Sequence, residues 1–218
     1  MDIEGVIFDL DGTLVHTIED LGDAANAVLL RNGLKTHTTE EFIGWIGNGA
    51  KKFIEQCMGG AKDPEHLEAC VAEFKEIYGQ NLHNRSHVYD GIFAVLDAYD
   101  EKGIPMSVLS NKPHHLTVKV VEHQLPERAF KAVFGQRDQV PRKPDPAAAL
   151  EIAAIMGLQP EKILFVGDSM GDMNTARAAG MIPVGVKWGY GMPELDGSDR
   201  GMILDEPLQL IELIKNTK

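Results

Sequence analysis

Two cysteines, Cys57 and Cys70, are all that the 218 residues contain, and they lack the spacing of a metal or redox pair. A disulfide framework is excluded, and two reduced thiols in a cytoplasmic protein are the expectation. No apolar run comes near about 18 residues, so no membrane-spanning helix is expected. The N-terminus enters an apolar run at once, which leaves no room for a signal peptide. Basic residues are scarce: 21 Lys and Arg stand against 33 Asp and Glu, a net charge of −12. That balance argues against nucleic acid or an anionic membrane as a partner. It leaves a small anionic ligand open, because one bound cation and one lysine supply enough local positive charge. Low-complexity tracts are also missing. The remaining composition is that of an ordinary globular protein able to bury a substantial core in one or two domains.

Against this plain background one stretch stands out. Val6, Ile7 and Phe8 end in Asp9-Leu10-Asp11-Gly12-Thr13. A short apolar strand ending in Asp-x-Asp-Gly-Thr carries two carboxylates to the carboxyl edge of a sheet, where open α/β sheets place their ligand crevice. Gly12 permits a sharp turn and a close approach to a ligand. Two neighbouring carboxylates repel unless a cation or a proton separates them, so the motif implies a metal, an acid/base partner, or both. Read alone, the pair fits a turn and helix start equally well.

The pattern along the chain supplies the rest of the fold. A strand is expected over 3–8. Residues 17–31 carry Ile18, Leu21, Ala25, Val28 and Leu29 at helical spacing, and further helices are expected near 50–58 and 64–82. This reads as a helical insert from about Val15 to Arg85. Thereafter helices (91–102, 114–124, 146–156, 171–180 and near 206–215) alternate with strands (104–109, 132–135, 162–167 and 182–186). Asp145 before Pro146 reads as an N-cap followed by a first-turn proline. Alternation of this kind implies an α/β fold with a parallel sheet covered on both faces. Asp9, Ser110 and Asp168 each follow an expected strand, so they should converge on one sheet edge.

Three later motifs extend the first: Ser110 after Ile104–Leu109, Lys143 in Arg142-Lys143-Pro144-Asp145-Pro146, and Gly167-Asp168-Ser169-Met170-Gly171-Asp172. Their order and residue types resemble the four signature motifs of the haloacid dehalogenase superfamily, and within it the phosphoglycolate phosphatase branch. The resemblance covers nearly the whole chain. It implies a Rossmann-like core built from 1–14 and 86–218, with a helical cap inserted at 15–85.

It also implies a phosphatase acting through an aspartyl-phosphate. Asp9 would be the nucleophile, suited to that task because a carboxylate with an ordinary pKa of about 3.9 is ionised at neutral pH. Asp11 would protonate the leaving oxygen and later deprotonate water, its acidity weakened by anionic Asp9. Magnesium is the expected cofactor, since Asp9, Asp168 and Asp172 offer only hard oxygen ligands, with Asp11 contributing a backbone carbonyl. Three carboxylates and a phosphate dianion carry about −5, and magnesium with Lys143 returns about +3. N–H donors at Gly12, Thr13, Ser110 and Asn111 are expected to meet the remainder. Lys112 is a weaker candidate. His16 departs from the acid found at this place in many relatives and reads as a hinge residue, and His83 and His87 read as surface residues.

In the insert, Gly47-Asn48-Gly49 opens a helix and could turn N–H groups toward an anion. Asn48, Gly49 and Lys51 are the expected substrate-facing residues of the cap, and phosphoglycolate is the first substrate expected. The partner is thus a small phosphorylated metabolite, bound by a monomer or homodimer. Competing readings are a phosphosugar mutase, a dehalogenase (which the acid Asp11 speaks against), a phosphonate hydrolase using Lys51 or Lys52 as a Schiff base, and a metabolite-binding protein without catalysis.

Overall fold

The computed structural model describes residues 2–60, 63–191, 194 and 201–215, so small parts of both expected domains lie outside the described residues. Its centre is a six-stranded sheet in the order β5-β4-β1-β6-β7-β8, every neighbouring pair parallel. The strands are β1 (Gly5–Phe8), β4 (Met106–Pro113), β5 (Phe130–Gln136), β6 (Ile163–Gly167), β7 (Ile182–Val186) and β8 (Met202–Leu204). β1, β6 and β7 are buried along their whole lengths, which is why they read as continuous apolar runs rather than alternating ones. Helices α5 (Ile92–Glu101), α6 (His114–Gln124), α7 (Ala147–Met156), α8 (Met170–Ala179) and α9 (Gln209–Ile214) complete the α/β layers.

Between β1 and α5 lie α1 (Ile18–Arg31), α2 (Thr39–Ile43), α3 (Ala50–Cys57) and α4 (Pro64–Gln80). They are framed by two-residue strands, β2 (Val15–His16) and β3 (His87–Val88), which pair antiparallel. Buried apolar residues of these helices run without a break into those on one face of the sheet. A second cluster, with Ile7, Ile152 and Phe165, fills the opposite face. Within the helical segment Phe42, Phe53, Phe74 and Tyr78 form a ladder of rings with successive centroids 5.6, 5.6 and 5.7 Å apart. That ladder fixes where Tyr78 stands.

The sequence expectations hold for the main elements and differ at particular places. β4 runs four residues past Leu109, so Ser110 lies inside the strand and not after it. Ser110, Asn111 and Lys112 look like a strand end because they are polar, yet pairing with β5 resumes at Pro113 opposite Gln136 after an irregularity. α7 starts at Ala147, one residue later than expected, although Asp145 Oδ1 still accepts a hydrogen bond from the Ala147 N–H at 2.9 Å. The short elements α2, β2, β3 and β8 have no counterpart in the expectations. They are too brief to show a period. Both cysteines are buried free thiols, and no described helix is long and apolar enough to cross a membrane.

Candidate active site

The carboxyl edge of the sheet collects the polar groups. Asp9 leaves β1 directly, its N–H bonded to Val166 O at 2.8 Å, and Asp168 leaves β6 beside it. Asp172 stands in the first turn of α8, where it forms a capping box with Ser169. One carboxylate oxygen from each of Asp9, Asp168 and Asp172 lies within 4.8 Å of the others. Lys143, from the loop between β5 and α7, places Nζ 2.7 Å from Asp9 Oδ1, 2.6 Å from Asp172 Oδ1 and 3.0 Å from Leu109 O. All three of its N–H bonds are used. Ser169 Oγ donates to Asp172 Oδ2 at 2.6 Å, while Asp168 Oδ2 accepts from the Tyr190 and Gly191 N–H groups at 2.7 and 3.1 Å.

These three buried carboxylates face one ammonium, which leaves two negative charges for a divalent cation to balance. The donor set is all oxygen, so it fits a hard cation such as magnesium. Without that charge, burial raises Asp9 well above the ordinary carboxylate range, with Lys143 opposing and Asp172 and Asp168 adding to the rise. In the metal-free site desolvation thus outweighs the lysine. Asp168 is pushed up to about 6, first by burial and then by Asp172, against its two backbone N–H donors. The ionised cluster therefore calls for further positive charge.

Asp11 sits apart from this cluster. Its Oδ1 accepts from Thr17 Oγ1 at 2.6 Å and pairs with Lys112 Nζ, which also donates to the Tyr78 hydroxyl at 2.8 Å. The crowding of like charge expected between Asp9 and Asp11 thus falls among Asp9, Asp168 and Asp172, while Asp11 turns toward a lysine. No described residue donates to Asp11 Oδ2.

A cavity of about 350 Å³ joins these groups to the helical segment; Asp9, Asp11, Ser110, Asn111, Lys112, Lys143 and Asp168 line its sheet side. Gly47, Asn48 and Gly49 line it from the helices, but their expected N–H presentation is not the contact seen. The loop offers carbonyls instead: Gly47 O accepts from Asn111 Nδ2 at 3.0 Å, and Asn48 O from Arg142 Nη1 at 2.7 Å. Asn111 Nδ2 also reaches Lys143 O at 3.1 Å, and its Oδ1 accepts from the Lys143 N–H at 3.0 Å, so its amide braces the loop that carries Lys143.

Lys51 does not line the cavity; it is exposed and paired with Glu68, and Lys52 is likewise paired with Glu55. That placement removes the basis for a Schiff-base reading. Gly12 and Thr13 are not among the residues that line the cavity. Gly12 has φ +85°, and a Cβ there would stand 2.3 Å from Asp168 Oδ2, so only glycine fits. Thr13 is fully buried and its Oγ1 has no partner among the described residues.

Sequence reasoning missed Tyr78 and Tyr190 and underrated Lys112. Tyr190 does more than line the wall: its hydroxyl accepts from the Thr17 and Ile18 N–H groups at 2.6 and 3.1 Å. Its position after β7, in Trp188-Gly189-Tyr190-Gly191, was the available signal, because β7 ends on the same edge. His16 stays off the cavity, with Nδ1 3.2 Å from the Tyr89 hydroxyl and 3.3 Å from that of Tyr190. His83 and His87 are exposed, each beside a different histidine: His123 and His16 respectively.

Comparison with known proteins agrees with this geometry. The family model described as haloacid dehalogenase-like hydrolase matches residues 6–186. A phosphoglycolate phosphatase of Photobacterium profundum is 34% identical over 98% of this chain and 96% of its own. One from Pseudomonas fluorescens is 33% identical over 94% of this chain and 78% of its own. The crystal structure of a predicted phosphoglycolate phosphatase from Haemophilus somnus superposes with a TM-score of 0.87 at 27% identity, covering 98% of this chain and 99% of that one.

Proposed function

From a chain that belongs to the haloacid dehalogenase-like hydrolases, we propose a magnesium-dependent phosphatase that hydrolyses a small phosphorylated metabolite, with phosphoglycolate as the first candidate. The observation that carries the reading is the cluster of Asp9, Asp168 and Asp172 around Lys143 at the carboxyl edge. The phosphatases of Photobacterium profundum and Pseudomonas fluorescens support the choice of substrate.

Asp9 and Asp168 would hold the magnesium, with the carbonyl of Asp11; Asp172 orients Lys143 and completes the acidic field. When bound, the ion would screen the phosphate dianion from the carboxylates and favour the ionised form of Asp9. Asp9 then attacks phosphorus with one carboxylate oxygen while its other oxygen stays on Lys143. The alkoxide leaves with a proton from Asp11, and Asp11 recovers that proton from the water that cleaves the acyl phosphate. With Oδ1 fixed by Lys112 and Thr17, Oδ2 is the oxygen free to carry it. The Ser110 hydroxyl would steady the transferring group, and Lys143, its donors held by Asp9, Asp172 and Leu109 O, would act on it through its charge alone.

The segment 15–85 acts in this reading as a cap on the core of 1–14 and 86–218, with the β2–β3 ribbon as its hinge. A cytoplasmic monomer or homodimer is the assembly we assign, with neither nucleic acid nor membrane as partner. Two free buried thiols and a net charge of −12 support that assignment.

Turnover of p-nitrophenyl phosphate and of phosphoglycolate, with and without magnesium, tests the reading, alongside a coupled assay for isomerisation of sugar phosphates. Hydrolysis of both esters only with magnesium is expected. Sugar phosphates that isomerise faster than any ester is hydrolysed would show a mutase instead. Asp11→Asn sharpens the test, because an alkoxide needs a proton to leave and a nitrophenolate hardly does. The loss should be at least about tenfold greater for the alkyl ester. Equal losses would remove Asp11 as the acid.

A further inference from the structure

The helices present the cavity with an apolar wall of Leu21, Ile43, Ile46, Phe53 and Phe74. Lys51 and Lys52 point elsewhere. Among the described lining residues the only cations are Lys143 and Lys112, and Lys143 has spent all its donors. Lys112 has not. Its ammonium carries three N–H bonds, of which Asp11 Oδ1 and the Tyr78 hydroxyl take two, and no described residue accepts the third. Tyr78 is in the same position: its hydroxyl accepts from Lys112, and its own proton has no described acceptor.

Both side chains are buried, that of Lys112 at 3% exposure and Tyr78 at 0%. A buried polar group with unused donors calls for a partner, and both residues line the cavity. Tyr78 stays a phenol, since burial raises its pKa well above the usual range, with Asp11 and Asp20 adding to it. Phe74, stacked on it at 5.7 Å and 4°, fixes the ring.

We propose that Lys112 and Tyr78 form the receptor for an anionic oxygen on the leaving group, and so select phosphate esters of short alcohols that carry one carboxylate. This deepens the phosphatase reading and rests on it. The apolar wall completes the selection. A compact carboxylate needs only the Lys112–Tyr78 corner, whereas the many hydroxyls of a sugar would lie unpaired against Ile43, Ile46, Phe53 and Phe74. The recognising cation thus comes from β4, on the sheet side, rather than from the helical segment where Lys51 was expected to supply it.

The experiment compares kcat/KM for phosphoglycolate with that for its neutral analogues, ethyl phosphate and the glycolamide ester, in the parent, Lys112→Met and Tyr78→Phe. The parent should favour the carboxylate ester by about a hundredfold or more; Lys112→Met should cut that ratio at least about tenfold, and Tyr78→Phe several-fold. If the ratio stays constant while both ester types slow together, Lys112 merely positions Asp11 and the proposal is wrong. A measurement on the parent alone guards against a variant that fails to fold. Glycolate should inhibit p-nitrophenyl phosphate hydrolysis at concentrations at least about tenfold below those needed for ethylene glycol. Equally weak inhibition overturns the receptor. A parent that hydrolyses p-nitrophenyl phosphate but shows no carboxylate preference refutes this inference and leaves the phosphatase reading standing. A parent that hydrolyses no ester refutes both.

Discussion

Asp9→Asn is expected to remove turnover, by roughly four to six orders of magnitude, while leaving the fold intact. The asparagine amide has nearly the volume of the carboxylate but no anionic oxygen to attack phosphorus. Its carbonyl oxygen can keep the bond that Lys143 now makes at 2.7 Å, and Lys143 retains Asp172 and Leu109 O as well. Stability should not fall with activity. Asp9 is buried and its carboxyl is raised well above its ordinary range, chiefly by desolvation, so its charge costs the metal-free fold more than its lysine returns. The melting temperature of metal-free Asp9→Asn at pH 7.5 should therefore equal or exceed that of the parent. Rapid-quench trapping of acid-stable radiolabel from a phosphorylated substrate should find a phosphoryl-protein in the parent and none in the variant. Residual activity within about tenfold of the parent would mean that water, rather than Asp9, is the attacking group.

How far the site could be read from the sequence depends on which physical signal each residue leaves. Asp9, Ser110 and Asp168 were legible because buried parallel strands write continuous apolar runs, and a polar residue that breaks such a run marks the carboxyl edge. Ser110 was misplaced by the same logic, since β4 carries polar residues within its last turns of pleat when they face a cavity. Lys143 was legible only through its proline-flanked motif. A lysine holding two buried acids looks, in one dimension, like a lysine on the surface. Lys51 shows the converse: a cation beside a glycine-rich turn suggested an anion site, but its helix turns it outward to Glu68.

Tyr78 and Lys112 were hidden because their meaning is relational. They are 34 residues apart, one on a helix and one on a strand, and each is ordinary alone. Tyr78 falls in α4 at a position that burial of a ladder of rings explains fully; only its hydroxyl, arriving at Lys112, says otherwise. The electrostatic state of the site was equally out of reach. Spacing shows that Asp9 and Asp11 are neighbours in sequence, but not that Asp11 will turn to Lys112 while Asp172, far along the chain, crowds Asp9.

On the proposed function that crowding should make the response to magnesium depend on pH in a defined direction. In the metal-free protein the folded chain holds a proton on Asp168 up to about pH 6, whereas an unfolded Asp releases it near the ordinary value of 3.8. A carboxyl raised in the folded state contributes stability that is full below the unfolded value and is lost as pH rises through the folded one. Asp9 is raised in the same sense. The metal-free protein should thus melt at a lower temperature at pH 7.5 than at pH 5.5. On the proposed function magnesium would bind the ionised carboxylates, so at pH 5.5 it should compete with protons and at pH 7.5 it should not. At a magnesium concentration of about one hundred times its Kd, the melting temperature at pH 7.5 should rise by roughly 5 to 10 °C. The same addition at pH 5.5 should raise it much less, and excess chelator should reverse both shifts along with activity. Calcium should stabilise the fold while supporting little turnover, because a larger ion that takes looser, higher-coordinate geometry would suit in-line attack by Asp9 poorly. Equal magnesium shifts at both pH values would show that Asp9 and Asp168 are not the ligands. Full activity in excess chelator would show that the charge of this cluster is balanced in some other way, and the Lys143 ammonium alone would then have to sustain an ionised Asp9.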